Sequence, residues 1–181
     1  MATKVFAENH NIPVHYTPSK GRSLSGWNVP TPFDLGVVVS FGYFVTPEIL
    51  RTLPLGALNV HPSVLPLYRG ASPIQYTIMN RDEVGGVSVQ ELDDKTWDAG
   101  RILAQAKVVS WGSAWAKGVV YVPCLPLFLK DLKTEPPKSY DDLRDKLSLL
   151  GVELLVDTIR NLHSRKVCWC CSCIVHIRNI H

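Results

Sequence analysis

Residues 34–62 carry the pattern that decides the fold, with the sequence DLGVVVSFGYFVTPEILRTLPLGALNVHP. The apolar run at 34–40 is typical of a strand that is buried on both faces of a parallel sheet. The segment Thr46-Pro47-Glu48 predicts a helix start, because threonine can cap a helix, proline fits the first helical position and glutamate favours its positive end. A second strand follows at 56–61, so this stretch predicts a strand–helix–strand unit.

The flanking sequence continues the alternation of strands and helices. Leucines recur at helical spacing between 143 and 162, after a capping box at Ser139. The further predicted elements are an edge strand at 12–15, a helix at 72–81 capped by Ser72, strands at 87–90 and 102–109, and a helix at about 140–162. Such alternation predicts an α/β fold built on a parallel sheet.

Composition limits the class of protein. The chain has 181 residues, of which 46% are hydrophobic and 19% charged, so it can build a core and is not a disordered chain. Its formal net charge of +3 neither predicts nor excludes a nucleic-acid binder. The most apolar stretch, 118–129, contains prolines and is shorter than the roughly 20 residues of a membrane-spanning helix. Residues 1–10 show no targeting signal, so we expect no membrane partner.

The five cysteines point to free thiols rather than to a disulfide framework. Cys124 stands alone, and the other four lie within 168–173. Without a signal peptide, a reducing compartment is expected. Zinc sites normally use two separated cysteine pairs, whereas the pairs in this tail overlap. We therefore expect the tail to be unstructured and to bind no metal.

One pair of polar residues marks a candidate reaction centre. Asn59 and His61 are two positions apart on a predicted strand, so their side chains share a face near its carboxyl end, where ligands bind in open α/β sheets. An amide and a protonated imidazole can both donate hydrogen bonds to a developing oxyanion. A carboxylate is needed to orient the histidine, and Asp93, Asp94 and Asp98 remain equal candidates by spacing alone. The alternative is a structural histidine.

A longer match adds to this interpretation. Residues 59–70, with the sequence NVHPSVLPLYRG, closely resemble the signature of the folate-dependent formyltransferases. The segment Asp98-Ala99-Gly100, followed by Ile102 and Leu103, looks like the second signature of that family. Within the family, the segments that resemble the methionyl-tRNA branch are 40–43, 47–50 and 69–74. The resemblance is dense from about 34 to 105 and resumes at about 136–162.

The resemblance implies a reaction and a role for three residues. Asn59, His61 and Asp98 match the catalytic set of the family, the formyl donor would be 10-formyltetrahydrofolate, and the acceptor would be the α-amino group of initiator methionyl-tRNA. Asn59 and protonated His61 would steady the oxygen of the tetrahedral intermediate, while Asp98 would keep His61 protonated and help proton transfer through a water. No metal is needed.

The resemblance also implies two groups of binding residues. The positions that match the folate pocket of the family are Phe41, Gly42, Tyr43, Phe44 and Val45 in one segment and Asp94, Lys95, Thr96 and Trp97 in another. The loop that walls the site contains Ser63, Leu65, Pro66, Tyr68, Arg69 and Gly70. Trp97 either packs on the pterin ring or belongs to the core.

The chain departs from the family pattern in three places. The first strand–helix–strand unit is expected to precede residue 1, so the chain enters the pattern within a helix at about 4–7. An insertion is expected at about 110–132, and a tail at 164–181 resembles nothing in the family. The expected architecture is a partial Rossmann-like formyltransferase domain at 1–163 with a parallel-rich sheet, without the C-terminal β-barrel domain. Such departures would suit an alternative or incorrectly predicted gene product.

Two other functions stay open beside formyl transfer to methionyl-tRNA. The first is another 10-formyltetrahydrofolate-dependent formyltransferase or hydrolase, and the second is a non-catalytic fragment. The resemblance further implies a mitochondrial monomer whose tRNA binding is weakened by the missing regions. Basic residues in the C-terminal third are either a tRNA footprint or a solvated helix face, since aspartates interleave with them.

Overall fold

A computed structural model describes residues 2–17, 24, 26–27, 29, 33–109 and 139–163 of the chain. Four helices and four strands lie in these ranges. In chain order they are α1 (Ala2–Asn9), β1 (Gly36–Val39), α2 (Pro47–Arg51), β2 (Ala57–His61), α3 (Pro73–Met79), β3 (Val84–Glu91), β4 (Ile102–Val109) and α4 (Tyr140–Arg160). The predicted alternation of strands and helices is therefore present. The insertion predicted at 110–132 and the cysteine-rich tail lie outside the described residues.

The strands form one mixed sheet in the order β1-β2-β3-β4. Strand β1 pairs with β2 in parallel, whereas β2 pairs with β3 and β3 with β4 in antiparallel fashion. The expectation of a parallel-rich sheet is therefore wrong for the described strands. The connection from β3 to β4 is short, and short connections join antiparallel neighbours because parallel neighbours need a long crossover.

Strand β1 differs most from its prediction. Val37 and Val39 are 46% and 56% exposed, although the apolar run predicted burial on both faces. Among the described residues, β1 pairs only with β2, so it forms an edge of the sheet. The edge strand predicted at 12–15 is also wrong, because residues 12–17 have no regular structure. Pro13 has no N–H group to give to a ladder, which disfavours a strand at this position.

The helix starts agree with prediction in position but not always in capping. Pro47 and Pro73 occupy the first turns of α2 and α3, yet neither Thr46 nor Ser72 makes a side-chain capping bond. Ser72 instead has a left-handed backbone with φ of 63°, which turns its hydroxyl away from the capping role. The cap predicted at Ser139 is confirmed, since its side chain accepts a 3.2 Å bond from the N–H of Asp142.

The main core lies between the sheet and α4. Its buried members are apolar residues of β2, β3 and β4 on one side and leucines after residue 149 on the other, namely Leu58, Val87, Val89, Ala104, Ala106, Leu150, Leu154 and Leu162. Gly151 permits this close packing, because a Cβ atom there would lie 3.0 Å from a methyl group of Val60. Packing α4 on one face of the sheet fixes β2 and β3 relative to each other. No helix of the described residues has the length and apolarity to cross a bilayer.

Candidate active site

The carboxylate of Asp98 is the centre of a buried group of polar side chains. Its Oδ1 atom accepts 2.8 Å hydrogen bonds from Nδ2 of Asn59 and from Nε2 of Gln90. Its Oδ2 atom accepts a 2.8 Å bond from the backbone N–H of Gly70. Asp98 itself has a left-handed backbone with φ of 48°. Three N–H donors from three separate segments therefore hold one carboxylate in place.

His61 lies against the same carboxylate. The side chain is buried, and its Nδ1 atom is 3.5 Å from Oδ2 of Asp98. Its Nε2 atom is 2.8 Å from the backbone carbonyl oxygen of Tyr68. A carbonyl oxygen only accepts, so this contact assigns the N–H to Nε2. Asn59 and His61, which were predicted as a pair, thus both lie against Asp98 in the structure.

Of the three acids that spacing left equal, only Asp98 reaches His61. Asp93 instead accepts bonds at 2.9 and 2.7 Å from the backbone N–H groups of Lys95 and Thr96. These two bonds hold the pKa of the Asp93 carboxyl below its ordinary value. Asp94 is exposed. The role of Asp93 is therefore to shape the loop that carries Asp98.

Local geometry explains how Asp98 comes to this position. Asn59 and Gln90 lie directly opposite each other on β2 and β3. The loop between β3 and β4 folds back over these strands, and it crosses its own beginning closely at Gly100. A Cβ atom at Gly100 would lie 1.8 Å from the carbonyl oxygen of Glu91, so a glycine is required there. This close crossing brings Asp98 above the Asn59–Gln90 pair.

The predicted substrate loop at 63–70 is hydrogen-bonded to side chains of the sheet. Ser88 of β3 accepts a bond from the N–H of Leu65 at 3.0 Å and donates to the carbonyl of Ser63 at 2.7 Å. Gln105 of β4 donates to the carbonyl of Leu65 at 2.7 Å. Pro66 follows through a cis peptide bond and is exposed. The start of the loop is therefore fixed, while its outer part faces solvent.

Tyr68 lies near the end of this loop, where contacts to Asp82, Asn80 and Tyr76 clamp its side chain. Its hydroxyl group donates to Asp82 at 2.5 Å and accepts from Asn80 at 2.8 Å. Its ring stacks on Tyr76 at 6.0 Å between centroids. The hydrogen bond to Asp82 raises the pKa of the Tyr68 phenol. Because the same residue presents its carbonyl to His61, the clamp also fixes the imidazole. Arg69 next to it is exposed.

The two segments predicted to hold folate meet through their aromatic rings. Phe44 and Trp97 make an edge-to-face contact with centroids 5.3 Å apart. Phe41 and Tyr43 form a second contact, also at 5.3 Å. Trp97 is half exposed, so it is not a core residue. Gly42 and the segment 94–96 are exposed, and Val45 is partly buried.

The site offers a limited set of donors for an oxyanion. An amide nitrogen carries two N–H groups, and Nδ2 of Asn59 gives one to Asp98, which leaves one within the described part of the site. The ring nitrogens of His61 face Tyr68 and Asp98. His61 therefore has to share or exchange one of these contacts to donate to a substrate oxygen. Such bonds in ligand-free active sites are often rearranged in the substrate complex.

Sequence reasoning missed Gln90 altogether, and it missed the carbonyl of Tyr68 as a partner of His61. The signal for Gln90 was a polar residue two positions after Ser88 in the predicted strand 87–90, whose other two residues are valines. Two polar residues at that spacing share a face, as Asn59 and His61 do. Among the described residues, no group of three or more metal-ligating side chains comes together.

Comparisons with known proteins bear on the family of the chain. Residues 9–110 match the family described as formyl transferase. The chain is 32% identical over 163 residues to the mitochondrial methionyl-tRNA formyltransferase of Rattus norvegicus, covering 90% of this chain and 34% of the relative. It is 34% identical over 144 residues to the corresponding enzyme of Saccharomyces cerevisiae, covering 80% of this chain and 35% of the relative. The chain thus spans about a third of the length of these curated relatives.

A solved structure extends the comparison to the fold. A formyltransferase from Anoxybacillus kamchatkensis, solved in complex with tetrahydrofolate, matches with a TM-score of 0.57 at 17% identity. The match covers 91% of this chain and 72% of that one, and at this identity it bears on the fold alone. It confirms the predicted α/β, Rossmann-like class. Since the family match covers more than half of the sequence, the chain belongs to the formyl transferase family.

Proposed function

We propose that this chain transfers the formyl group of 10-formyltetrahydrofolate to the α-amino group of methionyl-tRNA. The observation that carries the proposal is the convergence of Asn59, His61 and Asp98 in one buried site. When an amine adds to a carbonyl carbon, an amide and an imidazole can stabilise the oxyanion, and an imidazole and a carboxylate can move the proton. The names of the curated relatives supply the acceptor, and the tetrahydrofolate in the related structure supplies the donor class.

Each of the three side chains has a defined task in this reaction. The amine attacks the formyl carbon, the carbonyl oxygen gains negative charge, and the bond from the formyl carbon to the folate nitrogen then breaks. The amine loses one proton and the folate nitrogen gains one. The second N–H of Asn59 and protonated His61 steady the oxygen. Asp98 orients His61 and helps move the proton through a water.

The folate substrate would lie beside this group of side chains. Phe41, Gly42, Tyr43, Phe44 and Val45 would line one wall of its pocket, and the segment 94–97 the other. The contact between Phe44 and Trp97 supports the proposal, because it joins the two walls next to Asp98. A half-exposed indole provides a flat surface on which a pterin ring can stack.

The acceptor would approach over the loop at 63–70. Its exposed members, Pro66, Leu67 and Arg69, face solvent, while the carbonyl of Tyr68 in the same loop contacts the buried His61. We further propose that residues 1–163 form the catalytic domain, that 164–181 form a tail without metal, and that the chain is a mitochondrial monomer. Fractionation of cells tests the mitochondrial location, and light scattering of the purified chain tests whether it is a monomer.

A comparison of acceptors tests the proposed function. The purified chain is incubated with 10-formyltetrahydrofolate and with methionyl-tRNA, glycinamide ribonucleotide or buffer, and the formylated product is quantified. The expected result is formylation of methionyl-tRNA that His61→Ala abolishes. Transfer to glycinamide ribonucleotide, or release of formate into buffer at the same rate, would assign the chain to another reaction of the family. The absence of transfer by a cooperatively folded chain would identify a non-catalytic fragment.

A further inference from the structure

Gln90 occupies an unusual position for an amide side chain. It lies in β3, directly opposite Asn59 of β2, and its exposed fraction is 0%. The ladder to β4 is irregular at this point, because the register shifts between Val89 and Gln90. Val89 pairs with Ala104 and Gln90 with Ile102, so the extra residue is Leu103 of β4, and the bend lies in that strand beside the loop that carries Asp98.

The amide nitrogen of Gln90 and that of Asn59 share one target. Both are 2.8 Å from Oδ1 of Asp98, so the two side chains form a fork around that atom. The other carboxylate oxygen remains for Gly70 and for the ring of His61. Without Gln90, Oδ1 keeps a single donor on a partly exposed asparagine, and the carboxylate is held by two N–H groups instead of three.

The amide oxygen of Gln90 is left without a partner. Among the described residues, Oε1 of Gln90 is the one buried side-chain oxygen or nitrogen that makes no hydrogen bond. Turning the amide over does not relieve this, because Oε1 would then face Oδ1 of Asp98 and two acceptors would meet. An apolar side chain of similar volume, such as methionine, fills the position without an unpaired atom. The unpaired oxygen costs stability, and unpaired buried groups of this kind call for an explanation outside packing.

We propose that Gln90 is a positioning residue for the formyl transfer: its amide N–H holds the Asp98 carboxylate at the distance from which it orients His61. This inference rests on the proposed function for its chemical consequence, but the geometry that it asserts can be measured without any turnover. Gln90 acts through Asp98 and touches neither substrate.

Gln90→Met separates positioning from a merely structural role. The variant keeps the volume and removes both the donor to Asp98 and the unpaired oxygen, whose effects on stability oppose each other, so we expect the unfolding midpoint to change little. We expect kcat to fall roughly tenfold or more, because a positioned general acid–base group contributes about 10²–10⁴-fold, and we expect KM for the folate substrate to stay unchanged. Thr158→Val is the matched control, since it removes another buried hydrogen bond, to Leu154, on α4.

A double-mutant cycle identifies the residue through which Gln90 acts. In an Asp98→Asn background, Gln90→Met is expected to change kcat less than about twofold, since both substitutions disable the same unit. Effects that multiply fully would overturn the proposal. Gln90→Leu is a second variant in case methionine disturbs folding, because it also removes the donor, and the same loss of kcat is expected.

Nitrogen-15 spectra of the imidazole rings provide the measurement that needs no activity. The His61 signals are identified by their loss in His61→Ala. We expect Gln90→Met to shift them and Thr158→Val to leave them in place. Unchanged His61 signals in Gln90→Met would refute the positioning role whether or not the chain is active. Shifted signals in a chain that transfers no formyl group would support the positioning and refute the proposed function.

Discussion

Replacing Asp98 by alanine is predicted to destabilise the fold much more than replacing it by asparagine, while both substitutions have the same effect on catalysis. Alanine removes the acceptor of three N–H groups at once, those of Asn59, Gln90 and Gly70. Asparagine retains one oxygen for Gly70. The amides of Gln90 and Asn59 are then free to rotate and to offer their oxygens to the new Nδ2 group, because amides carry both a donor and an acceptor.

The magnitude for alanine follows from burial. Gln90 is fully buried and Gly70 is partly buried, so two N–H groups lose their partner away from bulk water, at about 1–3 kcal/mol each. A left-handed backbone costs alanine a further ~1–2 kcal/mol. We expect Asp98→Ala to lower the free energy of unfolding by about 3–8 kcal/mol, and Asp98→Asn by about 1 kcal/mol or less. Both should lower kcat by a factor of about 10²–10⁴.

Urea unfolding of the variants, followed by circular dichroism, measures this contrast. Asp98→Gly controls for the backbone, because glycine tolerates the left-handed conformation and leaves only the loss of the carboxylate. Asp93→Asn controls for removal of a carboxylate from the same loop and should retain activity. Equal destabilisation by alanine and asparagine would show that the amides do not rearrange around Asp98. An active Asp98→Asn would remove the carboxylate from the mechanism.

Three further substitutions test other parts of the site. Tyr68→Phe removes the hydroxyl bonds to Asp82 and Asn80 and should lower the free energy of unfolding by about 1 kcal/mol. Because the pKa of Tyr68 is raised in the folded state, this stabilisation is fully present below pH 10.0 and is lost as the pH rises through the higher folded pKa. The melting temperatures of the wild type and Tyr68→Phe should therefore converge above that pH. Gly100→Ala should destabilise by about 1–3 kcal/mol in thermal melts, since its Cβ would overlap the Glu91 carbonyl, and an unchanged midpoint would contradict the close crossing. Trp97→Ala should weaken tetrahydrofolate binding about twofold to tenfold by calorimetry, and equal affinity would exclude stacking on that indole.

Patterns of local origin were predicted well. The boundaries of β4 match, α4 begins where Ser139 caps it, and the two-residue spacing of Asn59 and His61 places both at one site. Each of these features depends on residues close in sequence, whose geometry is set by helical or strand periodicity.

Features that depend on distant segments were not predictable from spacing. The choice of Asp98 over Asp93 is made by the folding back of the β3–β4 loop, which requires Gly100 to meet the backbone of Glu91. The antiparallel pairing of β2 with β3, and hence the meeting of Asn59 with Gln90, depends on which neighbours each strand finds. The exposure of Val37 and Val39 also depends on distant segments. The apolar run of β1 does not itself show whether another strand pairs with the free edge of β1.

Single-turnover transfer with excess protein is the most direct measurement of the chemistry at Asn59, His61 and Asp98. Acid-quenched formylation of methionyl-tRNA is compared between the wild type and His61→Ala. The tetrahydrofolate affinity and the unfolding midpoint of both proteins are measured first, as controls for binding and folding. We predict that the rate falls at least about 10²-fold in His61→Ala while folate affinity changes less than about twofold. Equal single-turnover rates in the two proteins would show that the buried imidazole is structural and that the formyl group is transferred elsewhere.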